Sequence, residues 1–247
     1  PGRLLGAGYT LEGATILYGR LTGKAITLTN VPLSFSTAIA ASLVPAISEA
    51  NSKGNTKELK KRIQTGIKIT TLIALPSAIG IYILSNPIIH LLWGSKEAGG
   101  DILKVLAGNI LFIAIAQTLT AILQGLNKAF VPVKNLFLGV IVKIIVSYFL
   151  LATHLNIVGA VVGSICGYII VVILNYREVK KSISLTIPLK NVVLKPIFAT
   201  IIMSIIVVFT FDYGLVILQH ENLATIIAIF FGIFSYGGTT FLMGVDY

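Results

Sequence analysis

The residue with the clearest chemical potential is a lysine inside an apolar run. Lys143 lies in Gly139-Val140-Ile141-Val142-Lys143-Ile144-Ile145-Val146, about 13 Å along a helix from Lys134. A cation near mid-bilayer costs on the order of 2.5–3.5 kcal/mol even on the mildest scale. Such a lysine either snorkels to a headgroup or caps a neighbouring helix, or it faces a water-filled cavity that takes anions. A second constellation precedes it. Arg20, Lys24, Thr27, Asn30 (or Val31), Ser34 and Thr37 follow the three-and-four spacing of one helix face, so two cations head a stripe of hydroxyls and an amide. Small polar residues on a membrane helix also serve close packing and interhelical hydrogen bonds, which is the plainer reading of Ser34 and Thr37. In a third group, Asn109, Gln117 and Gln124 share a face at spacings of eight and seven. Their amides suit an interhelical hydrogen bond or a sugar hydroxyl equally well. Arg20, Lys24, Asn30, Asn109, Gln117, Gln124 and Lys143 are therefore the candidate substrate-binding residues. Lys68, one turn into its helix, is read as snorkelling.

No pattern points to catalysis, a metal or a cofactor. HExxH, GxSxG, a phosphate loop and paired Cys/His motifs do not occur. His90, His154 and His220 are too scattered to hold an ion. None of the nine acidic residues is placed mid-span, with Glu49, Asp101, Asp212 and Glu221 at helix ends, so a membrane carboxylate for cation coupling is not visible.

The elements that position these side chains are membrane helices. The chain has 247 residues, 55% of them hydrophobic and only 11% charged, with a mean hydropathy of +0.93. A soluble domain carries about 25% charged residues, so the apolar excess must face lipid. The fold class is an all-α polytopic membrane protein. The net charge of +10 sits in short loops between apolar runs, which marks topology and not a nucleic-acid partner. The single Cys166 excludes an intramolecular disulfide. The opening Pro1-Gly2-Arg3 has no initiator Met, and the chain reads as the C-terminal portion of a longer protein whose N-terminal half is missing.

The helix from about Thr56 to Leu84 orients the rest. It starts in Lys57-Glu58-Leu59-Lys60-Lys61-Arg62, turns apolar at Ile67, is predicted to break at Pro76, and is stopped by Ser85-Asn86-Pro87. Further spans are predicted at about 24–47, 101–125, 130–152, 157–176, 193–212 and 222–244, making seven. A cytoplasmic 51–62 loop places the loops near 126–134 and 177–195 inside as well. Those loops hold 12 of the 19 Lys and Arg, whereas the opposite loops near 85–100, 153–156 and 213–221 hold only Lys96. The terminal Val245-Asp246-Tyr247 then lies in the cytoplasm. Trp93 falls where an interfacial aromatic belongs, and Gly159, Gly163 and Gly167 mark a close-packing face.

Several stretches resemble the lipid II flippase family, and more nearly its stage V sporulation protein B-like polysaccharide exporters. They are Ser42-Leu43-Val44-Pro45-Ala46-Ile47-Ser48, Leu75-Pro76-Ser77-Ala78, Ile83-Leu84-Ser85-Asn86-Pro87, Ile122-Leu123-Gln124-Gly125-Leu126-Asn127-Lys128, Pro132-Val133-Lys134 and Val142-Lys143-Ile144. The resemblance runs from about Arg20 to Lys181 and is specific in combination. It implies a fourteen-helix transporter of the multidrug/oligosaccharidyl-lipid/polysaccharide export superfamily, with two six-helix bundles around a central cavity. Residues 1–23 would be the end of a truncated helix and an interfacial segment, 24–181 the C-terminal bundle (helices 8–12), and 182–247 two additional helices. The implied function is flipping of an undecaprenyl-pyrophosphate-linked glycan across the plasma membrane by alternating access, with membrane lipids and the missing N-terminal half as further partners. One bundle alone should not transport. In lipid II flippases a cavity arginine lies just before the proline of helix 8. Here Thr27 holds that place before Pro32, and Lys24 lies one turn earlier, so either the role has moved to Lys24 or the substrate differs. The rival readings are a multidrug antiporter of the same superfamily and a non-transporting scaffold for cell-wall or spore-coat synthesis; midspan Lys143 speaks against the scaffold.

Overall fold

The computed structural model describes residues 10–94, 98–151, 156–183 and 190–244, without the side chains of residues 156, 190 and 191. Among these residues the α-helices are α1 (Leu11–Gly19), α2 (Ile26–Ser52), α3 (Thr56–Ile83), α4 (Ser85–Trp93), α5 (Gly100–Gly125), α6 (Phe130–Leu150), α7 (Asn156–Ile183), α8 (Lys195–Leu218) and α9 (Glu221–Leu242), and there is no strand. A π-helical turn at Arg20–Ala25 joins α1 to α2, so the chain is helical without interruption from Leu11 to Ser52. Seven stretches are long and apolar enough to cross a bilayer, the number predicted. The protein is a multi-pass all-α membrane protein. Lys96, His154 and the terminal 245–247 lie outside the described residues.

The reversal between α2 and α3 shows how local chemistry sets the helix ends. Gly54 takes φ +65°, a conformation that costs a glycine little. Asn55 then caps α3: its side-chain oxygen accepts from the Glu58 amide at 3.1 Å, and its Nδ2 donates to the Glu58 carboxylate at 3.2 Å. Lys53 pairs with Glu49 at 2.6 Å, and the Glu49 carboxylate raises that lysine above its ordinary value. Arg62 binds Glu58 and also donates to the Ala46 carbonyl at 3.1 Å, stitching α3 back onto α2. Beneath this polar end, Ile47, Ile63, Leu119, Ile122, Leu123 and Val179 close a core with at most 1% exposure each. A second core at the opposite end gathers Ala25, Ile89, Leu103 and Val161. Phe130, Phe234 and Leu242 are 74–90% exposed on the outer helices, as lipid-facing side chains are.

Three predicted helix ends are corrected. Pro76 does not break α3, which continues through it to Ile83. The helix does stop before Pro87, at Leu84, but residues 85–93 form another helix with Pro87 in its first turn, where a missing N–H is tolerated. Helix α7 runs on to Ile183, so Arg177, Lys180 and Lys181 decorate helical turns and not a loop. Likewise α8 extends to Leu218, which puts Asp212 about 9 Å inside its end instead of at it.

Pro76 is tolerated for a specific reason. Lacking an N–H, it leaves the Leu72 carbonyl four residues earlier without a helical donor. The Tyr236 hydroxyl on α9 donates to that carbonyl at 2.9 Å. Tyr236→Phe is therefore expected to destabilise the protein by about 1–3 kcal/mol, the cost of an unmet buried acceptor. Pro76→Ala restores the backbone donor, and in that background Tyr236→Phe should cost far less. Melting of the purified protein in detergent, run as a double-mutant cycle, decides this; equal losses in both backgrounds would break the link.

The predicted glycine face is real. A Cβ on Gly167 would stand 2.6 Å from the Gly139 carbonyl oxygen, and one on Gly163 2.9 Å from the Lys143 carbonyl oxygen. Helices α6 and α7 thus touch backbone to backbone, which fixes where Lys143 can point.

Candidate substrate-binding groove

Helices α2, α5, α6 and α7 enclose a groove of about 510 Å³, lined among others by Thr37, Ala41, Gln117, Thr120, Gln124 and Tyr168. A smaller recess of about 70 Å³ adjoins it, sharing Leu136, Tyr168 and Val171, and is lined by Gly139, Lys143 and Ser164. Along α6 the wall is made by Pro132, Leu136, Gly139 and Lys143, the three-and-four spacing of one face. Lys143 lies about 16 Å along that face from Pro132. Its side chain is exposed, and it makes no hydrogen bond or ion pair with any described residue.

The seven candidates are divided by this arrangement. Gln117, Gln124 and Lys143 line the groove and its recess. Asn30 is exposed on α2, on the face that also presents Thr27, Ser34 and Thr37. Those three hydroxyls bond back to carbonyls of their own helix, Thr27 to Gly23 at 3.1 Å, Ser34 to Val31 at 2.7 Å and Thr37 to Leu33 at 3.0 Å. They leave oxygen lone pairs, but no protons, to a ligand. Arg20 and Lys24 lie at the other end of the stripe, beside Gly99, with the Lys24 ammonium 5.8 Å from the centre of the Trp93 ring. Asn109 is 3% exposed and sits outside the groove wall, its Oδ1 without a partner among the described residues.

Behind the groove runs a polar chain that the sequence reading missed. Asn135 Nδ2 on α6 donates to Asn175 Oδ1 on α7 at 2.8 Å, and Asn175 Nδ2 donates to Thr120 Oγ1 on α5 at 3.3 Å. Just beyond it, Lys128 pairs with Glu178 at 2.6 Å. The signal was present as two asparagines in apolar runs. Pairing residues 40 positions apart, however, requires the α6–α7 register. His90 lies on α4 and meets the Glu221 carboxylate at 3.0 Å. Among the described residues no cluster of His, Cys, Asp or Glu could hold a metal ion.

The family model described as lipid II flippase MurJ matches residues 24–233. The chain belongs to the lipid II flippase MurJ family. Stage V sporulation protein B of Bacillus subtilis (strain 168) is 31% identical over 198 residues, which cover 79% of this chain and 38% of that protein. Lipid II flippase MurJ of the same organism is 28% identical over 158 residues, 62% of this chain and 29% of the relative. A probable low-salt glycan biosynthesis flippase, Agl15 of Haloferax volcanii, is 22% identical over 216 residues, 87% of this chain and 45% of the relative. The chain thus spans less than half the length of these MurJ-family relatives.

Proposed function

We propose that this protein flips a lipid-linked glycan precursor across the plasma membrane by alternating access, as a transporter and not an enzyme. The observation that carries the reading is the groove itself. It is a groove whose largely apolar wall carries Thr37, Gln117, Thr120, Gln124 and Tyr168, adjoined by Lys143, which has no partner among the described residues, on a bundle whose family relatives bear the name flippase. A pyrophosphate bridge fits Lys143, and sugar hydroxyls fit the amides of Gln117 and Gln124. An apolar cleft of about 570 Å³ between α2, α3, α8 and α9, with Pro76, Gly80, Met203, Gly232 and Ile233 in its walls, offers a path for the prenyl chain. In this reading residues 24–181 form one of two bundles and residues 182–247 the added helix pair. A second bundle completes the cavity, and two bundles rock about the site. Among the described residues no carboxylate lines the groove, which favours an anionic substrate over the cationic drugs of a multidrug antiporter.

The cluster of Lys and Arg at residues 53–62 supports a cytoplasmic side for residues 51–62 and for the C-terminus. Cysteine labelling of the intact protein in a Cys166→Ala background tests orientation and site together. An impermeant maleimide added to whole cells should modify His220→Cys and spare Lys53→Cys, and a lipid-linked disaccharide should slow modification of Gln124→Cys in purified protein. Labelling of Lys53→Cys from outside overturns the orientation, and indifference of Gln124→Cys to bound lipid-linked disaccharide overturns the site.

A further inference from the structure

Hydroxyls on membrane helices ordinarily donate to a carbonyl three or four residues back on the same helix. Thr71, Ser77, Thr118 and Ser164 all do so here. Thr120 does not. Among the described residues its one hydrogen bond is the one it accepts from Asn175 Nδ2. An oxygen that accepts keeps its proton, and this oxygen belongs to a residue in the groove wall. Asn175 cannot turn away: it is fully buried, and its Oδ1 is held by Asn135 from the other side.

One turn earlier on α5, Gln117 lines the same groove, and its Oε1 is buried with no donor among the described residues. Residues three apart on a helix have Cβ atoms about 5–6 Å from each other. The wall therefore holds, side by side, a hydroxyl proton without an acceptor and a carbonyl oxygen without a donor among the described residues. The oxygen is turned inward and is brought to the groove by rotation of the half-buried Gln117 side chain. A phosphate oxygen only accepts and would leave the Gln117 Oε1 unmet. An alcohol accepts and donates through one oxygen and answers both.

We infer that Gln117 and Thr120 clamp a sugar hydroxyl of the lipid-linked headgroup, with Asn175 and Asn135 as positioning residues that hold the Thr120 oxygen. This deepens the flippase reading and rests on it. The division of labour is then spatial: the clamp reads the glycan in the main groove, and Lys143 meets the anionic bridge in the adjoining recess.

The test compares two lipids on the intact purified protein, undecaprenyl pyrophosphate bearing a disaccharide and undecaprenyl pyrophosphate alone, with binding followed by native mass spectrometry. Thr120→Val keeps the shape and removes the hydroxyl. It should weaken binding of the glycosylated lipid about tenfold, the worth of one hydrogen bond, and leave the bare lipid unchanged. Gln117→Leu should do the same, and Thr120→Ser should retain the preference. Asn175→Leu should erode the ratio of the two affinities while leaving the bare lipid bound, which a merely structural role would not do. Equal weakening for both lipids, or none for either, overturns the clamp while the flippase reading stands. Binding of neither lipid by the unsubstituted protein overturns that reading and the clamp with it.

Discussion

Replacing Lys143 by methionine is expected to leave the protein inserted and folded while cutting the flipping of a lipid-linked glycan by about ten- to a hundredfold. Methionine keeps an unbranched stem of similar length and removes the charge, so the penalty for a cation in hydrocarbon disappears. The lost contact is a charge-assisted hydrogen bond to phosphate, about 1.5–3 kcal/mol, which converts to that range of rates. No described residue satisfies this ammonium in the absence of substrate. Its position is also dictated from behind, because Gly163 and Gly167 bring the α7 backbone against the Lys143 turn of α6. Lys143→Arg should retain more activity, since a guanidinium also binds phosphate, though with a planar fork in place of a point charge. The measurement is accumulation of precursor on the inner leaflet, with membrane expression read alongside. Normal flipping by Lys143→Met would make this lysine structural and remove α6 from the transport path.

The second large effect concerns the contact that places Lys143. Gly167→Ala should destabilise the protein by about 1–3 kcal/mol through overpacking, and Gly167→Val by more. The first added carbon would lie 2.6 Å from the Gly139 carbonyl oxygen and 3.1 Å from Lys143 Cβ. Backbone cannot yield there without separating α6 from α7 and stretching the bond between Asn135 and Asn175. Gly237→Ala, where a methyl meets nothing within 4 Å, is the matched control and should melt unchanged. A Gly167→Ala protein that melts with the control would remove the backbone contact as the feature that fixes the groove.

The sequence made the helices legible because membrane spans are long and monotonously apolar, and their number survives errors at the ends. The error at Pro76 has a physical cause. A proline reads as a stop only when nothing else satisfies the carbonyl it orphans. Tyr236, 164 positions away from Leu72, does so for Pro76, and no local rule can see that partner. The stop before Pro87 holds, and what the sequence reading did not foresee is that Pro87 sits in the first turn of a further helix, where a missing N–H is tolerated. At the site, Lys143, Gln117 and Gln124 stood out because polarity in hydrocarbon is conspicuous. Thr120 did not, because threonine is cheap in a membrane helix when it bonds to its own backbone, and only the structure shows that this one bonds elsewhere. Arg20 and Lys24 were grouped with the stripe by helical spacing alone. Spacing gives the face and not the depth, and Lys24 lies over Trp93, away from the groove.

The most direct test of the account is transport by the intact protein, with both bundles present, in sealed vesicles. Vesicles carry a lipid-linked oligosaccharide labelled on its sugar, and an impermeant quencher reports how much label faces outward. The account predicts that the protein exchanges label between leaflets far faster than protein-free vesicles do, and that Lys143→Met, equally folded and equally incorporated, returns the rate toward that background. Exchange no faster than in protein-free vesicles, from folded and incorporated protein, would contradict it.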